Sequence, residues 1–191
     1  LENALKNALD DQAAGHASLL FERRKGLPAL LVTSVESAGR DASASRELRS
    51  ELLRLIDWII LELCARGKHT HIAQYVTSIA HACMLTFAKE SSSAVRAACL
   101  DTLLSALDLR DHVPNLSELR SLLFPPREQT DPTANPSAVQ LFWRHFTSPR
   151  SKSGTTETVR GGCLRLLGKL AILFPVEVSD DPVYERTGSL Y

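Results

Sequence analysis

Leucine and isoleucine recur at spacings of three and four from residue 45 to residue 66, on two adjacent stripes, and this double stripe narrows the possible folds most. Leu48, Leu52, Leu55, Ile59 and Leu63 form one stripe, and Leu53, Ile56 and Ile60 form the other. Glu47, Glu51 and Arg54 mark the solvated side. A helix with two apolar stripes packs against more than one neighbour, as internal helices of a layered stack do. No stretch alternates apolar and polar residues for long, and Asn-Gly and Asp-Gly turns are missing. The chain is therefore predicted to be all-α.

The punctuation divides it into further helices. Gly67 is placed to end the first one. The short linker 67–69 leads into a second helix, about 70–88, with Ile72, Val76, Ile79, Cys83 and Phe87 on its apolar stripe. A linker this short predicts that the two form an antiparallel hairpin. Ser91, Ser92 and Ser93 offer N-caps for a helix over about 93–107, carrying Val95, Cys99, Leu103 and Ala106. Pro114 and Asn115 open a short helix that Pro125 and Pro126 stop. The four prolines of 125–136 mark an exposed loop. A helix over about 137–146 carries Val139, Leu141, Phe142 and Phe146. A polar, basic loop follows at 148–154. The last long helix spans about 155–174, with Val159, Cys163, Leu166, Leu167, Leu170 and Phe174 inside. The N-terminal fifth is less regular: 1–13, 19–21 and 27–35 read as helical, and 40–43 as a polar linker.

One pattern occurs twice. Val95-Arg96-x-x-Cys99-Leu100-x-x-Leu103 returns as Val159-Arg160-x-x-Cys163-Leu164-x-x-Leu167, near the start of a helix each time. Helix starts near 45, 93 and 137 give a period in the mid-forties, the range of HEAT and armadillo units. One hairpin cannot bury both its faces, so such hairpins lean on their neighbours. The expected architecture is a right-handed α-solenoid of antiparallel helix hairpins. Residues 1–43 would form N-terminal helices. Residues 44–191 would form the stack, as units of about 44–88, 92–124 and 136–174, continuing beyond the last residue.

Composition narrows the function. A chain of 191 residues can bury roughly 70% of its unfolded surface. Lys plus Arg and Asp plus Glu are each 22, so the net charge is zero, whereas a domain that binds nucleic acid unaided is usually basic. Any such contact would need a local patch. Cys64, Cys83, Cys99 and Cys163 form no C-x-x-C pair, and the last three fall on apolar stripes, pointing to a reducing, intracellular setting. The most apolar run, 55–64, contains Asp57 and Glu62 and is too short to span a bilayer.

Sites of chemistry are scarce. Gly161-Gly162 lacks a phosphate-loop frame and reads as a place where a neighbouring helix packs closely. His69, His71, His81 and Cys83 lack zinc-ligand spacing and read as surface and core residues. No catalytic residue, metal, cofactor or small-molecule substrate is assigned. Three basic clusters fall at expected turns or loops: Arg23-Arg24-Lys25, Arg66 with Lys68, and Arg150 with Lys152. Brought to one edge they would hold phosphates by charge; otherwise they are solvated loop charges. Arg96 and Arg160, being repeated, are expected to pair with an acid of an adjacent turn. Trp58 is either an interface anchor or half-buried packing.

The order of segments resembles one family. R-S-E-L-L-R-L-I-D-W-I-I-L-E-L-C-A-R-G-K-H-T-H-I-A-Q-Y (49–75) looks like a helix, glycine-lysine turn and I-A-x-Y helix. V-R-A-A-C-L-D-T-L-L-S-A-L, S-E-L-R-S-L-L-F, V-Q-L-F-W-R-H-F and V-R-G-G-C-L-R-L-L-G-K-L-A-I-L-F-P follow in order. Together they are similar to the N-terminal HEAT-repeat arm of the DNA-dependent protein kinase catalytic subunit family, among the phosphatidylinositol 3-kinase-related kinases. The resemblance implies a nuclear, non-catalytic part of a serine/threonine protein kinase. Its implied partners are double-stranded DNA ends, the Ku heterodimer and other parts of the same chain, in non-homologous end joining. The alternative is a protein–protein interaction solenoid, an adaptor or transport scaffold without a nucleic-acid role. A membrane partner is not expected.

Overall fold

The computed structural model describes residues 27–40, 46–126, 136–148 and 156–183. Among them the regular structure is helical, with no strand. The α-helices are α1 (Leu27–Arg40), α2 (Arg46–Ala65), α3 (His69–Ala73), α4 (Val76–Lys89), α5 (Ser93–Leu107), α6 (Leu116–Leu123), α7 (Ala138–Thr147), α8 (Glu157–Leu173) and α9 (Pro175–Ser179). A 3-10 turn, Arg110–His112, joins α5 to α6.

Local chemistry sets the helix ends. Gly67 has φ of +68°, the left-handed conformation that favours glycine. Its N–H donates to Cys64 O at 3.0 Å, and Lys68 N–H donates to Leu63 O at 2.8 Å. These two bonds satisfy carbonyls that the end of α2 would leave open. Asn115, Ser137 and Thr156 cap α6, α7 and α8, each side chain accepting from the N–H three residues on. At α5 the expected serine cap is replaced. Ser92 is the cap residue but makes no side-chain cap bond, and the Glu90 carboxylate accepts from the N–H groups of Ser91 and Ser92 at 2.8 Å each. A carboxylate matches the positive end of a helix better than a hydroxyl does.

The packing has a simple order. α1 packs on α2, α4 on α5, and α7 on α8. Across these pairs, α1 packs on α4, α2 on α5, and α5 on α8. Phe142 of α7 meets Phe87 of α4 edge to face, with ring centroids 5.2 Å apart. Thus α1, α4 and α7 lie on one side and α2, α5 and α8 on the other. The α2–α5–α8 helices run parallel. Thr102 Oγ lies 3.1 Å from Leu53 O and Ser105 hydrogen-bonds Asp57, while Arg165 faces Asp101 and Lys169 faces Asp108. Both members of each set advance along their helices together. The core is continuous from Leu31 to Val178 and includes fully buried Phe87, Phe142 and Phe174.

Two expectations change. The helix expected over 70–88 is broken at Gln74–Tyr75 into α3 and α4. The hairpin expected between 45–66 and 70–88 is not a principal packing pair; α2 leans on α1 and α5 instead. Both changes have one cause. After α2 the chain must return to the side holding α1, and α3 makes that crossing, resting on α2 and on the 3-10 turn, where His69 stacks on His112 at 4.8 Å.

Candidate functional site

Of the seven basic residues singled out as a nucleic-acid surface, Arg23, Arg24, Lys25, Arg150 and Lys152 lie outside the described residues. Arg66 is at the end of α2, and its Nε and Nη2 both donate to Glu62 Oε1, at 2.8 and 2.7 Å. Lys68 follows the Gly67 turn, half-buried. Other cations are also matched by acids: Arg54 by Glu51, Arg120 by Glu177, Arg165 by Asp101 and Lys169 by Asp108. A cation already facing a carboxylate contributes less to a phosphate contact, because the carboxylate must be displaced or will repel the phosphate.

The repeated arginines are structural. Arg96 lies over the Phe87 ring and Arg160 over the Phe146 ring, each 5.7 Å from the centroid. Each reaches from the first turns of one helix back to the end of the helix before it. Glu90 sits beside Arg96 and forms an ion pair with Arg49 at 2.9 Å, with side chains only 11% (Arg49) and 5% (Glu90) exposed. Burial alone would raise the Glu90 pKa. The Ser92 and Ser91 N–H groups and Arg49 outweigh it and hold the carboxyl below its usual range. Arg96 thus has an acidic neighbour, as was expected of both repeated arginines, whereas the contact shown for Arg160 is with the Phe146 ring.

Titratable groups are perturbed chiefly by burial. His145 is edge-on to Phe87 with centroids 4.8 Å apart, and burial, then Arg96 and Arg144, pushes its pKa down to about 4. Burial pushes the thiols of Cys83 and Cys163 up to about 12, and Cys99 well above the ordinary value. Such thiols stay protonated at neutral pH and are poor nucleophiles. Asp57 is raised by burial, a hydrogen bond from Ser105 opposing. Among the described residues no group of three or more His, Cys, Asp and Glu side chains is placed to hold a metal ion, and no helix is long and apolar enough to cross a membrane.

A groove of about 280 Å³ lies between α4, α6 and α7, with Met84, Leu85, Leu122 and Leu141 among its walls and His81 and Ser121 as its polar side chains. None of the perturbed groups lines it. Its chemistry suits an apolar side chain and provides no paired acid and base.

The sequence reading missed where the apolar surface lies. Leu30, Leu48, Leu61, Leu164, Ile172 and Val176 are the large hydrophobics exposed among the described residues. All six belong to α1 and α2 or to α8 and α9, and none to the middle helices. The repeated motif carried the signal. Leu100 of α5 is 1% exposed, because α8 covers it, with Gly162 against its side chain. Its counterpart Leu164 is 54% exposed. Trp58, a candidate anchor, is half-buried and packs against the core.

No family model, curated protein or solved structure matches the chain.

Proposed function

We propose that the chain is a non-catalytic, HEAT-like scaffold segment, a right-handed α-solenoid that holds surfaces for other macromolecules. The observation that carries this reading is the order of contacts: α1 leans on α4 and α2 on α5, then α5 on α8 with Phe142 of α7 against Phe87 of α4, and among the described residues the exposed large apolar side chains lie on α1, α2, α8 and α9. In a stack, stability is local, because each unit touches only its neighbours. Native-state hydrogen exchange on Leu170→Ala tests it, since Leu170 is fully buried in α8. Amides of α7 and α8 lose protection while those of α2 and α4 keep most of theirs. Equal loss in every helix would instead mark one closed cooperative core and defeat the reading.

The scaffold's partner is, on the first reading, protein: the matched cations and zero net charge favour it. A second reading is favoured by the ordered resemblance and by Arg23, Arg24, Lys25, Arg150 and Lys152. On it the segment is nuclear and helps a DNA-repair kinase hold double-stranded DNA ends beside the Ku heterodimer. Fluorescence anisotropy with a blunt duplex, over a salt series, separates the two. The DNA reading expects affinity that falls steeply with salt and is lost when those five residues become Glu. Equal affinity in the charge-reversed protein removes them from the site.

A further inference from the structure

We infer that Asp57 is a proton-operated latch in the seam between α2 and α5, which holds more tightly with this carboxyl neutral than with it charged, so that acid stiffens this part of the chain.

The seam around Asp57 is apolar. Ile56 and Ile60 of α2 are buried on either side of it, and Leu53, one turn earlier, is fully buried. Thr102 Oγ of α5 lies 3.1 Å from Leu53 O, so the two helices approach closely at this level. Asp57 is therefore a carboxyl set into a helix contact. Its Oδ1 is closed off from solvent and has no hydrogen-bond partner among the described residues. Ser105 of α5 hydrogen-bonds the carboxyl. One hydroxyl does not replace the several water contacts that a carboxylate gives up on burial, so the charged form is the costly one. A neutral carboxyl in the same place leaves less polarity unmatched.

The neighbouring charges do not offset this cost. Asp101, one turn before Ser105 on α5, repels a carboxylate, and Arg165 of α8 is turned to Asp101 at 3.3 Å. On α2 itself Arg54 is turned to Glu51 at 2.8 Å. Cys83 of α4 feels the charge of Asp57, but its thiol stays protonated and brings no positive charge in return. Among the described residues no charge of α1 or α3 acts on Asp57. Burial, opposed by the Ser105 bond and helped by Asp101, raises the carboxyl above its ordinary 3.8. A group raised in this way binds its proton more readily in the folded chain. Its stabilising contribution is complete below 3.8 and is lost as pH rises through the folded value. His145 works in the opposite direction at another contact, that of α7 with α4. Acid thus tightens α2 on α5 while it weakens α7 on α4.

Carbon-13 NMR of the Asp57 carboxyl reads the latch in the wild-type chain, over the pH range in which the chain stays folded. The midpoint should stand above 3.8. Ser105→Ala removes the bond that favours the charge and should move the midpoint further up, whereas Asp101→Asn should move it down. Urea titration of wild type and Asp57→Asn, in steps from about pH 7.5 to about pH 4.5, reads what the latch does to the fold. Asn is neutral throughout, so wild type should gain on the variant as pH falls. His145 and Glu90 are present in both proteins, and their titration cancels in the difference. An Asp57 midpoint at or below 3.8, a midpoint unmoved by Ser105→Ala, or a separation between the two urea midpoints that stays constant with pH overturns the inference.

Discussion

Gly161 and Gly162 are neighbours in one helix, yet alanine should have opposite effects at the two positions. In each case Ala replaces Gly inside α8 and gains about 0.8–1 kcal/mol of helix propensity. At Gly161 the added methyl meets nothing within 4 Å. At Gly162 it would lie 2.7 Å from Cδ1 and 3.4 Å from Cβ of Leu100. Leu100 is 1% exposed, so its side chain has little room to retreat. Overpacking of this kind costs about 1–3 kcal/mol. The net effect at Gly162 is then between about zero and 2 kcal/mol destabilising, and at Gly161 about 0.8–1 kcal/mol stabilising. Propensity cancels in the difference between the variants, which reports the overpacking directly. The assay is thermal unfolding of three proteins, in which 1 kcal/mol moves Tm by about 2–4 °C at this chain length. Gly161→Ala should melt above the wild type and Gly162→Ala at or below it. A Gly162→Ala protein stabilised as much as Gly161→Ala would refute the close approach of α8 to α5, and with it the stacking of those helices.

Other outcomes follow from the same contacts. Glu90→Ala leaves Arg49 and Arg96 beside an empty buried site and uncaps α5; urea titration should show a loss of about 3–5 kcal/mol, and less for Glu90→Gln, which keeps the cap. His145 has a folded pKa of about 4 against an ordinary 6.5, so the unfolded chain binds the extra proton. Its contribution is fully present above 6.5 and is lost as pH falls from there towards 4. A His145→Gln protein should show a shallower decline than wild type over that window, and parallel curves would rule out the buried neutral imidazole. Ser137→Ala removes both the cap on Gln140 N–H and the 2.6 Å bond to Asp181, so a Tm unchanged from wild type would contradict the geometry; about 1–3 kcal/mol should be lost.

Helix positions were legible because their signal is local. The period of three and four located α2, α5, α7 and α8 to within about two residues. Gly67 and the Asn115, Ser137 and Thr156 caps declare themselves by residue type. Pairing was not legible, because a short linker says that two helices are near in sequence but not which side of the stack each joins. Position 75 shows this: nothing in Ala73-Gln74-Tyr75-Val76 resembles a stop, and only the return past α2 makes one necessary. The paired glycines were half legible. Packing on small residues was the expectation for both, and Gly162 meets a neighbour while Gly161 faces open space. The repeated motif named equivalent positions but could not say that Leu100 is covered and Leu164 bare. Exposure depends on which helix comes next, and no residue inside the motif encodes that. For the basic clusters, Glu62 stands four residues before Arg66 on the expected helix, so spacing alone already offered Arg66 an acidic partner, although the cluster reading did not use it.

The bond between Ser137 and Asp181 spans 44 positions and is buried. It fastens the start of α7 to the residues just after α9, closing α7, α8 and α9 into a loop. Tension applied through the chain after Val183 therefore reaches this clasp before it can peel α8 from α5. The last helices would yield in two stages, first one short polar fastening and then the long apolar seam beneath it.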